Sequence, residues 1–339
     1  MKKLSVIYVI VLLGTVRLSA QSVASNSIDY INSKYYTKVA EAQYSYLKDD
    51  KREAYNILTE IEQTIPLLDI PGIYEMEMFV ELSLLYKNYT KAYQYINKLI
   101  SDYGYKIKDF MDFKNFRLLK RKDFYEAKAL IQAENEFIPD TIISVQLQRM
   151  HDNDQYYRTL PAKDCNVGIE ELQYINNSNK YWVQYDSIDR INYAELTEII
   201  RKDGYPLSKT KKYDRVQRGL VYTNLSTMTM HISDSANIEE MKAILLENIR
   251  MGDCYPDLFA CLVDRNCLSK GKCYIYGMYD NISSNQICDI QNLDKRRSEI
   301  GLPSYKLGCE IQKLILRKMA IRRDMPKIMY EILEKDCDF

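Results

Sequence analysis

Apolar residues recur at helical spacing from Ile28 to Tyr103, and short polar turns divide this region into successive helices. Two of the turns, Asp49-Asp50 and Lys87-Asn88, lie 38 residues apart, and the flanking helices match at the same offset. The matching pairs are Leu47 and Leu85, Ala54 and Ala92, Tyr55 and Tyr93, Leu58 and Ile96, and Ile61 and Leu99. A small residue followed by bulky ones at helical spacing is typical of two antiparallel helices in contact, so the pattern predicts a repeated helical hairpin.

This repeat resembles the tetratricopeptide repeat, although its period exceeds the 34 residues of that family and the full consensus is absent. Stacked helical hairpins form concave surfaces that bind other chains. The resemblance therefore implies a protein or peptide as the partner of this region. Two units are fewer than the three or so that such arrays need for stability, so we expect the repeats to pack against the domain that follows.

The second part of the chain also has mainly helical patterns, beginning after Pro139. Asn192 and Asn237 are each followed three residues later by Glu, which predicts two capped helix starts. Pro256 predicts a third helix start. Two short segments, 273–276 and 286–290, are separated by a loop rich in Gly, Ser and Asn and predict one small β-hairpin.

The expected fold is therefore mainly α, with helical-hairpin repeats followed by a mostly helical domain that carries one β-hairpin. The predicted divisions are a signal peptide (1–20), a helical-repeat region (21–139), a helical domain (140–305) and C-terminal helices (306–339).

The first 20 residues have the order of a secretory signal peptide, with Lys2 and Lys3 before an apolar run and Ala20 at its small-residue end. The apolar run is shorter than the roughly 20 residues that a membrane span needs. We therefore expect an exported protein, periplasmic or extracellular, with no stable membrane span after the leader is removed. An uncleaved anchor and a buried N-terminal strand are the alternatives.

All eight cysteines lie in the second half of the chain, at positions 165, 254, 261, 267, 273, 288, 309 and 337. An even number of cysteines in an exported chain favours disulfides, and Cys273 with Cys288 is the first pair expected because the two flank the predicted hairpin. Their spacings fit no zinc ribbon or finger. Free, buried cysteines that act as small apolar residues are the alternative.

The composition is that of an ordinary globular protein, with 46% hydrophobic and 28% charged residues. The 47 basic and 47 acidic side chains cancel, and without the leader's three basic residues the balance is 44 against 47. This lack of basic excess argues against nucleic acid as a partner. The sequence has no P-loop, dinucleotide-binding glycine motif, HExxH helix or Gly-x-Ser-x-Gly elbow, so no cofactor is expected.

A series of polar residues and glycines follows in a definite order through the second part of the chain. They are Asp154-Gln155, Arg158, Asp189, Gly204-Tyr205-Pro206, His231, Leu262, Asp264-Arg265, Gly271, Tyr276-Gly277, Leu293-Asp294, Arg296-Arg297 and Gly301-Leu302. In this order and spacing, residues 142–305 resemble a bacterial domain of unknown function that also occurs behind helical repeats. The resemblance implies a mostly helical fold and supplies no activity.

The chain departs from that family's pattern around Tyr274 and Tyr276-Gly277-Met278-Tyr279, where three polar positions of the family are lost. If those positions hold a ligand elsewhere in the family, this chain binds something different or keeps only the scaffold.

Imidazole chemistry has two candidates, His151 and His231. His231 would serve as a general base if Asp264 or Asp294 oriented its ring, with Arg265 or Arg297 holding an anion. The structural alternative is that His231 caps the C-terminus of its helix and that the neighbouring Asp and Arg residues form simple ion pairs.

Two functions follow from these observations. The first is an exported helical-repeat protein that acts by binding another protein or a peptide. The second is an enzyme or small-anion receptor, with catalytic residues His231 and Asp264 and the ligand-binding residues Arg265, Tyr276, Asp294 and Arg297. If these six residues line one cleft, the second function is favoured, and if they are dispersed as separate surface pairs, the first function is favoured.

The leader predicts a mature chain that starts at Gln21, because signal peptidase cuts after a small residue such as Ala20. Intact-mass analysis of protein recovered from the cell envelope or medium should show a chain lacking residues 1–20. Recovery of the full-length chain from the cytosol would contradict this prediction.

Overall fold

The computed structural model describes residues 31–68, 74–110, 138–165, 179–206, 213–279 and 284–320. The expected leader and the part of the chain beyond residue 320 lie outside these ranges. Helices dominate the described residues, which confirms the mainly α fold predicted from the sequence. Within the same residues, no helix combines the length and the apolar character needed to cross a membrane.

The N-terminal region is built from successive helices joined by short turns. A π-helical turn, Ile31–Tyr35, leads into α1 (Tyr36–Leu47), which is followed by α2 (Lys51–Thr64), α3 (Tyr74–Leu85), α4 (Tyr89–Tyr103) and the single turn α5 (Ile107–Phe110). Helix α1 packs against α2, and α3 packs against α4, so two helical hairpins form.

The two hairpins repeat the same local geometry. Asp50 and Asn88 cap α2 and α4, and the side chain of each accepts a hydrogen bond from the backbone N–H three residues later, at 3.2 and 3.3 Å. Asp49 and Lys87 precede the caps, and both have positive φ angles. The matched apolar pairs are fully buried: Ala54 and Ala92, Leu58 and Ile96, and Ile61 with Leu99. The sequence repeat is therefore a structural repeat.

Seven further helices form the second part of the described chain. They are α6 (Ile142–Cys165), α7 (Asn179–Asp203), α8 (Arg215–Met230), α9 (Ser235–Met251), α10 (Pro256–Ser269), α11 (Leu293–Glu299) and α12 (Tyr305–Ala320). Helices α6, α7 and α8 pack against one another, and α10 contacts α8 and α9. Helix α12 returns to pack against α1.

Buried hydrogen bonds join the two parts of the chain. Glu75 of α3 is fully buried and accepts the hydroxyl protons of Tyr35 at 3.2 Å and Tyr255 at 2.8 Å. The hydroxyl of Tyr36 donates to the carbonyl oxygen of Ile249, in the last turn of α9, at 2.6 Å. One hydrophobic cluster includes residues from both parts, so the repeats and the second region share a core.

Two of the helix starts predicted from sequence are wrong. Asn192 lies inside α7, which begins at Asn179. The turn before Asn192 is already helical and packs Ile188 into the interior. Helix α9 is capped by Asp234, whose carboxylate accepts the backbone N–H of Asn237 itself at 3.1 Å. The predicted start at Pro256 is confirmed, since this residue occupies the first position of α10.

The predicted β-hairpin is also wrong. The described residues of the two segments form one isolated bridge, between Tyr274 and Ile287, and it is parallel. Side chains take the backbone groups that a ladder would use. Asp264 accepts three N–H groups from residues 275–278, and Arg296 donates to three carbonyl groups on both segments.

Cys273 and Cys288 form the expected disulfide, with their Cα atoms 5.1 Å apart. Cys309 is also disulfide-bonded. Cys254, Cys261 and Cys267 are free thiols, and Cys254 is buried. Disulfides and free cysteines, which the sequence left as alternatives, therefore both occur in this chain.

Replacing both Cys273 and Cys288 by Ser should lower the free energy of unfolding by about 3 kcal/mol, because a 15-residue loop is no longer closed in the unfolded chain. Urea unfolding under non-reducing conditions measures the loss. Cys267→Ser is the matched control, since this thiol is free and partly exposed. An unchanged unfolding midpoint in the double variant would contradict the prediction.

Candidate functional site

His231 follows the last residue of α8, and its ring faces α6. The Nδ1 atom lies 2.9 Å from Oδ1 of Asp154, a fully buried carboxylate. Burial raises the pKa of Asp154, but the hydrogen bonds from His231 and Arg158, together with the positive charge of Arg158, outweigh it and hold that pKa below its ordinary value. An ionised carboxylate only accepts hydrogen bonds, so Nδ1 of His231 is the donor.

The backbone of His231, rather than its ring, closes the end of α8. Its N–H donates to the carbonyl oxygen of Thr227 at 3.1 Å, as in an ordinary last helical turn. The ring is left to interact with Asp154 through Nδ1, and no residue of the described chain forms a hydrogen bond with Nε2. The geometry is thus that of an Asp–His dyad with one free nitrogen.

Arg158 ties this dyad to a second buried acid. It lies one turn after Asp154 on α6, and its Nε donates to Oδ1 of Asp154 at 2.9 Å. A terminal nitrogen of the same guanidinium donates to Asp189 of α7. Burial raises the pKa of Asp189, and the charge of Arg158 acts against that rise. The guanidinium therefore spans α6 and α7 and neutralises part of the charge of both acids.

A cavity of about 640 Å³ opens beside these groups. We call it the His231 pocket and define it by His231, Arg158, Asp189 and Arg265 on its polar side and by Ile238 and Leu262 on its apolar side. Its volume is within the range of small-molecule sites.

Arg265 of α10 is the exceptional member of the His231 pocket. Burial lowers the pKa of its guanidinium and the nearby Arg158 acts in the same direction, whereas the charges of Tyr279, Asp189 and Asp154 act against this decrease. Among the described residues, no side chain forms a hydrogen bond or ion pair with it, although Arg158 in the same pocket has two carboxylate partners. A half-buried guanidinium with unused donors is a ready site for an anion.

A metal ion is a second occupant that the donor atoms suggest. Asp154, Asp189 and His231 each offer one ligand atom, and these three atoms lie within 4.8 Å of one another. Arg158 already donates to both carboxylates, however, and supplies the positive charge that a cation would bring. A metal ion would have to displace this guanidinium, so the arrangement fits an acid–base site better than a metal centre.

The structure divides the six candidate residues between two places. His231 and Arg265 line the same pocket. Asp264 faces the other way and accepts the backbone N–H groups of Ile275, Tyr276 and Met278 at 2.7 to 2.9 Å. Burial raises the pKa of Asp264, whereas these hydrogen bonds lower it. Its carboxylate therefore holds a loop in place and does not orient His231.

The remaining candidates surround that loop. Arg297 is buried and donates to the carbonyl oxygens of Pro303 at 2.8 Å and Tyr276 at 2.5 Å. Asp294 accepts the N–H of Tyr305, at the start of α12, at 2.7 Å. These contacts join α11, α12 and the loop, which is the task of structural residues.

Sequence reasoning did not include Asp154, Arg158 and Asp189 among the site residues, although all three carry the resemblance described above. The signal that was available is the pair Asp154 and Arg158, one helical turn apart on α6. Nothing local in the sequence joins them to His231, which lies 77 residues beyond Asp154.

Comparisons with known protein families, curated proteins and solved structures give no match to this chain. The interpretation of the His231 pocket therefore rests on its own geometry and chemistry.

The contacts predict effects of different size on stability for two arginines. Arg297→Gln should lower the free energy of unfolding by about 3 kcal/mol, because buried carbonyl groups lose a charged donor. Arg265→Gln should change it by less than about 0.5 kcal/mol, because no partner is lost. Urea unfolding of both variants measures the difference. Equal losses would show that Arg265 also has a structural role.

Proposed function

We propose that this protein is an enzyme that binds a small anionic substrate in the His231 pocket and moves a proton through the free nitrogen of His231. One observation carries the proposal: His231, whose ring is oriented by the buried Asp154, lines the same cavity as the guanidinium of Arg265. A base and an anion-binding group in one pocket are what proton transfer on a bound anion requires.

Each residue of the site has a separate task. Asp154 holds the proton on Nδ1, so that Nε2 of neutral His231 presents its lone pair to the substrate. Arg158 holds Asp154 and Asp189 in position, and its charge favours the ionised form of both acids. Arg265 binds the anionic group of the substrate and orients the bond that reacts.

The dyad suits both directions of proton transfer. Nε2 takes a proton from the substrate or from a water molecule, and the buried carboxylate of Asp154 stabilises the imidazolium that forms. Return of that proton to the product or leaving group completes the cycle. Such positioned acid–base groups contribute roughly 100-fold or more to rate.

Binding of a protein or peptide by the helical repeats is the second candidate. It is favoured by a mainly apolar cavity of about 510 Å³ between α1, α3 and α12, with Tyr46, Tyr74, Met78 and Ile315 in its wall.

Export, which the leader predicts, is supported by the Cys273–Cys288 disulfide, since disulfides persist in oxidising compartments.

The proposed function predicts distinct behaviour of the two histidines in ¹⁵N NMR spectra. Neutral His231 should carry its proton on Nδ1, and titration with acetate or inorganic phosphate should shift its Nε2 signal because the anion binds nearby. Asp154→Asn should remove the tautomer preference, and Arg265→Gln should abolish the anion-dependent shift. His151 also lies on α6, with Nδ1 3.7 Å from a carboxylate oxygen of Asp152, and it does not line the His231 pocket, so it is the internal control.

Catalysis is tested with a panel of anionic esters, amides and phosphoesters, whose turnover is followed by proton NMR. His231→Gln should retain anion binding and lose turnover by roughly 100-fold or more, whereas His151→Gln should behave as the unaltered protein. An Nδ1 atom without its proton, or anion shifts of equal size at both histidines, would overturn the proposed function. Anion binding without turnover of any substrate would reduce the protein to a receptor.

A further inference from the structure

The apolar side of the His231 pocket restricts the kind of anion that would fit it. Ile238 and Leu262 are buried residues whose side chains line the cavity, and Val183 of α7 lines it while 74% exposed. An inorganic anion on Arg265 would leave this apolar surface in contact with water. A ligand with an apolar group next to its charge would cover it.

The charges around the pocket restrict the ligand further. Three carboxylates lie in or beside the cavity, those of Asp154, Asp189 and Asp186, and only two guanidinium groups pair with them, because Arg158 serves the first two and Arg190 the third. Arg158 is engaged by two of those acids, so a single positive group remains for the ligand. A second negative charge on the ligand would face the acids without a counter-charge, which disfavours a dianion such as a phosphate monoester.

We infer that the His231 pocket takes a monocarboxylate that carries an apolar chain or ring, with the carboxylate on Arg265 and the apolar part on Val183, Ile238 and Leu262. The inference rests on the proposed function and names its substrate class. A planar carboxylate also matches the fork of a guanidinium, which donates two parallel hydrogen bonds.

Isothermal titration with the unbranched carboxylates from acetate to octanoate tests the inference. Affinity should rise roughly two- to fourfold with each added methylene group, as each one leaves water for the apolar wall. Hexanol and hexylamine should bind at least about tenfold more weakly than hexanoate, because neither offers an anion to Arg265. Hexyl phosphate should also bind more weakly than hexanoate at pH 7.5.

Matched variants test whether the apolar chain of the ligand lies on Val183. Val183→Ser should reduce the gain from acetate to octanoate and leave acetate binding unchanged. Val216→Ser is the control, because Val216 is also an exposed helical valine, 71% exposed, and does not line the pocket. Both substitutions lie on exposed positions, so the variants should fold.

The outcomes separate this inference from the proposed function. Anion binding that depends on Arg265 but not on chain length would overturn the inference and leave the proposed function standing. Tighter binding of hexyl phosphate than of hexanoate, or equal effects of the two valine variants, would also overturn it. Absence of binding by any carboxylate or phosphate would overturn the proposed function itself.

Discussion

Among the residues that the structure describes, three acids have no solvent exposure: Glu75, Asp154 and Asp264. Their carboxylates organise the described part of this protein. A buried charge is costly unless donors surround it, so each acid fixes the elements that supply those donors. Glu75 gathers tyrosine hydroxyls from both parts of the chain. Asp154 gathers His231 and Arg158, and Asp264 gathers backbone N–H groups of a loop. The apolar core is non-directional, whereas these bonds define how the helices and the loop are placed on it.

The surroundings of a residue, rather than its type, decide its role here. Asp264 and Arg265 are neighbours on α10, and successive residues of a helix point about 100° apart. The acid therefore faces the loop and the arginine faces the pocket. Arg297 was predicted for the same anion-binding role as Arg265, yet its donors are used on carbonyl groups. A motif that contains an acid and an arginine can thus serve structure with one residue and chemistry with the next.

The features predicted correctly from the sequence depend on short stretches of chain: the helical repeat, the start at Pro256 and the Cys273–Cys288 pair. The errors depend on distant partners. The hairpin was predicted from local alternation, but Asp264 and Arg296 engage the backbone that a ladder needs. For the candidate site, the sequence drew attention to His231 and Arg265 and offered other acids than Asp154. Periodicity carries no information about which helices become neighbours, so the partner of His231 could not be read from it.

The packing of α12 on α1 joins the last described helix to the first. Joining two helices so far apart in sequence costs chain entropy before any contact compensates for it, so we expect this contact to form late in folding. While the chain is synthesised, the face of α1 that α12 covers stays open to solvent until α12 has emerged. Apolar surface exposed for that time invites association with other chains, which makes a holding chaperone useful during biosynthesis.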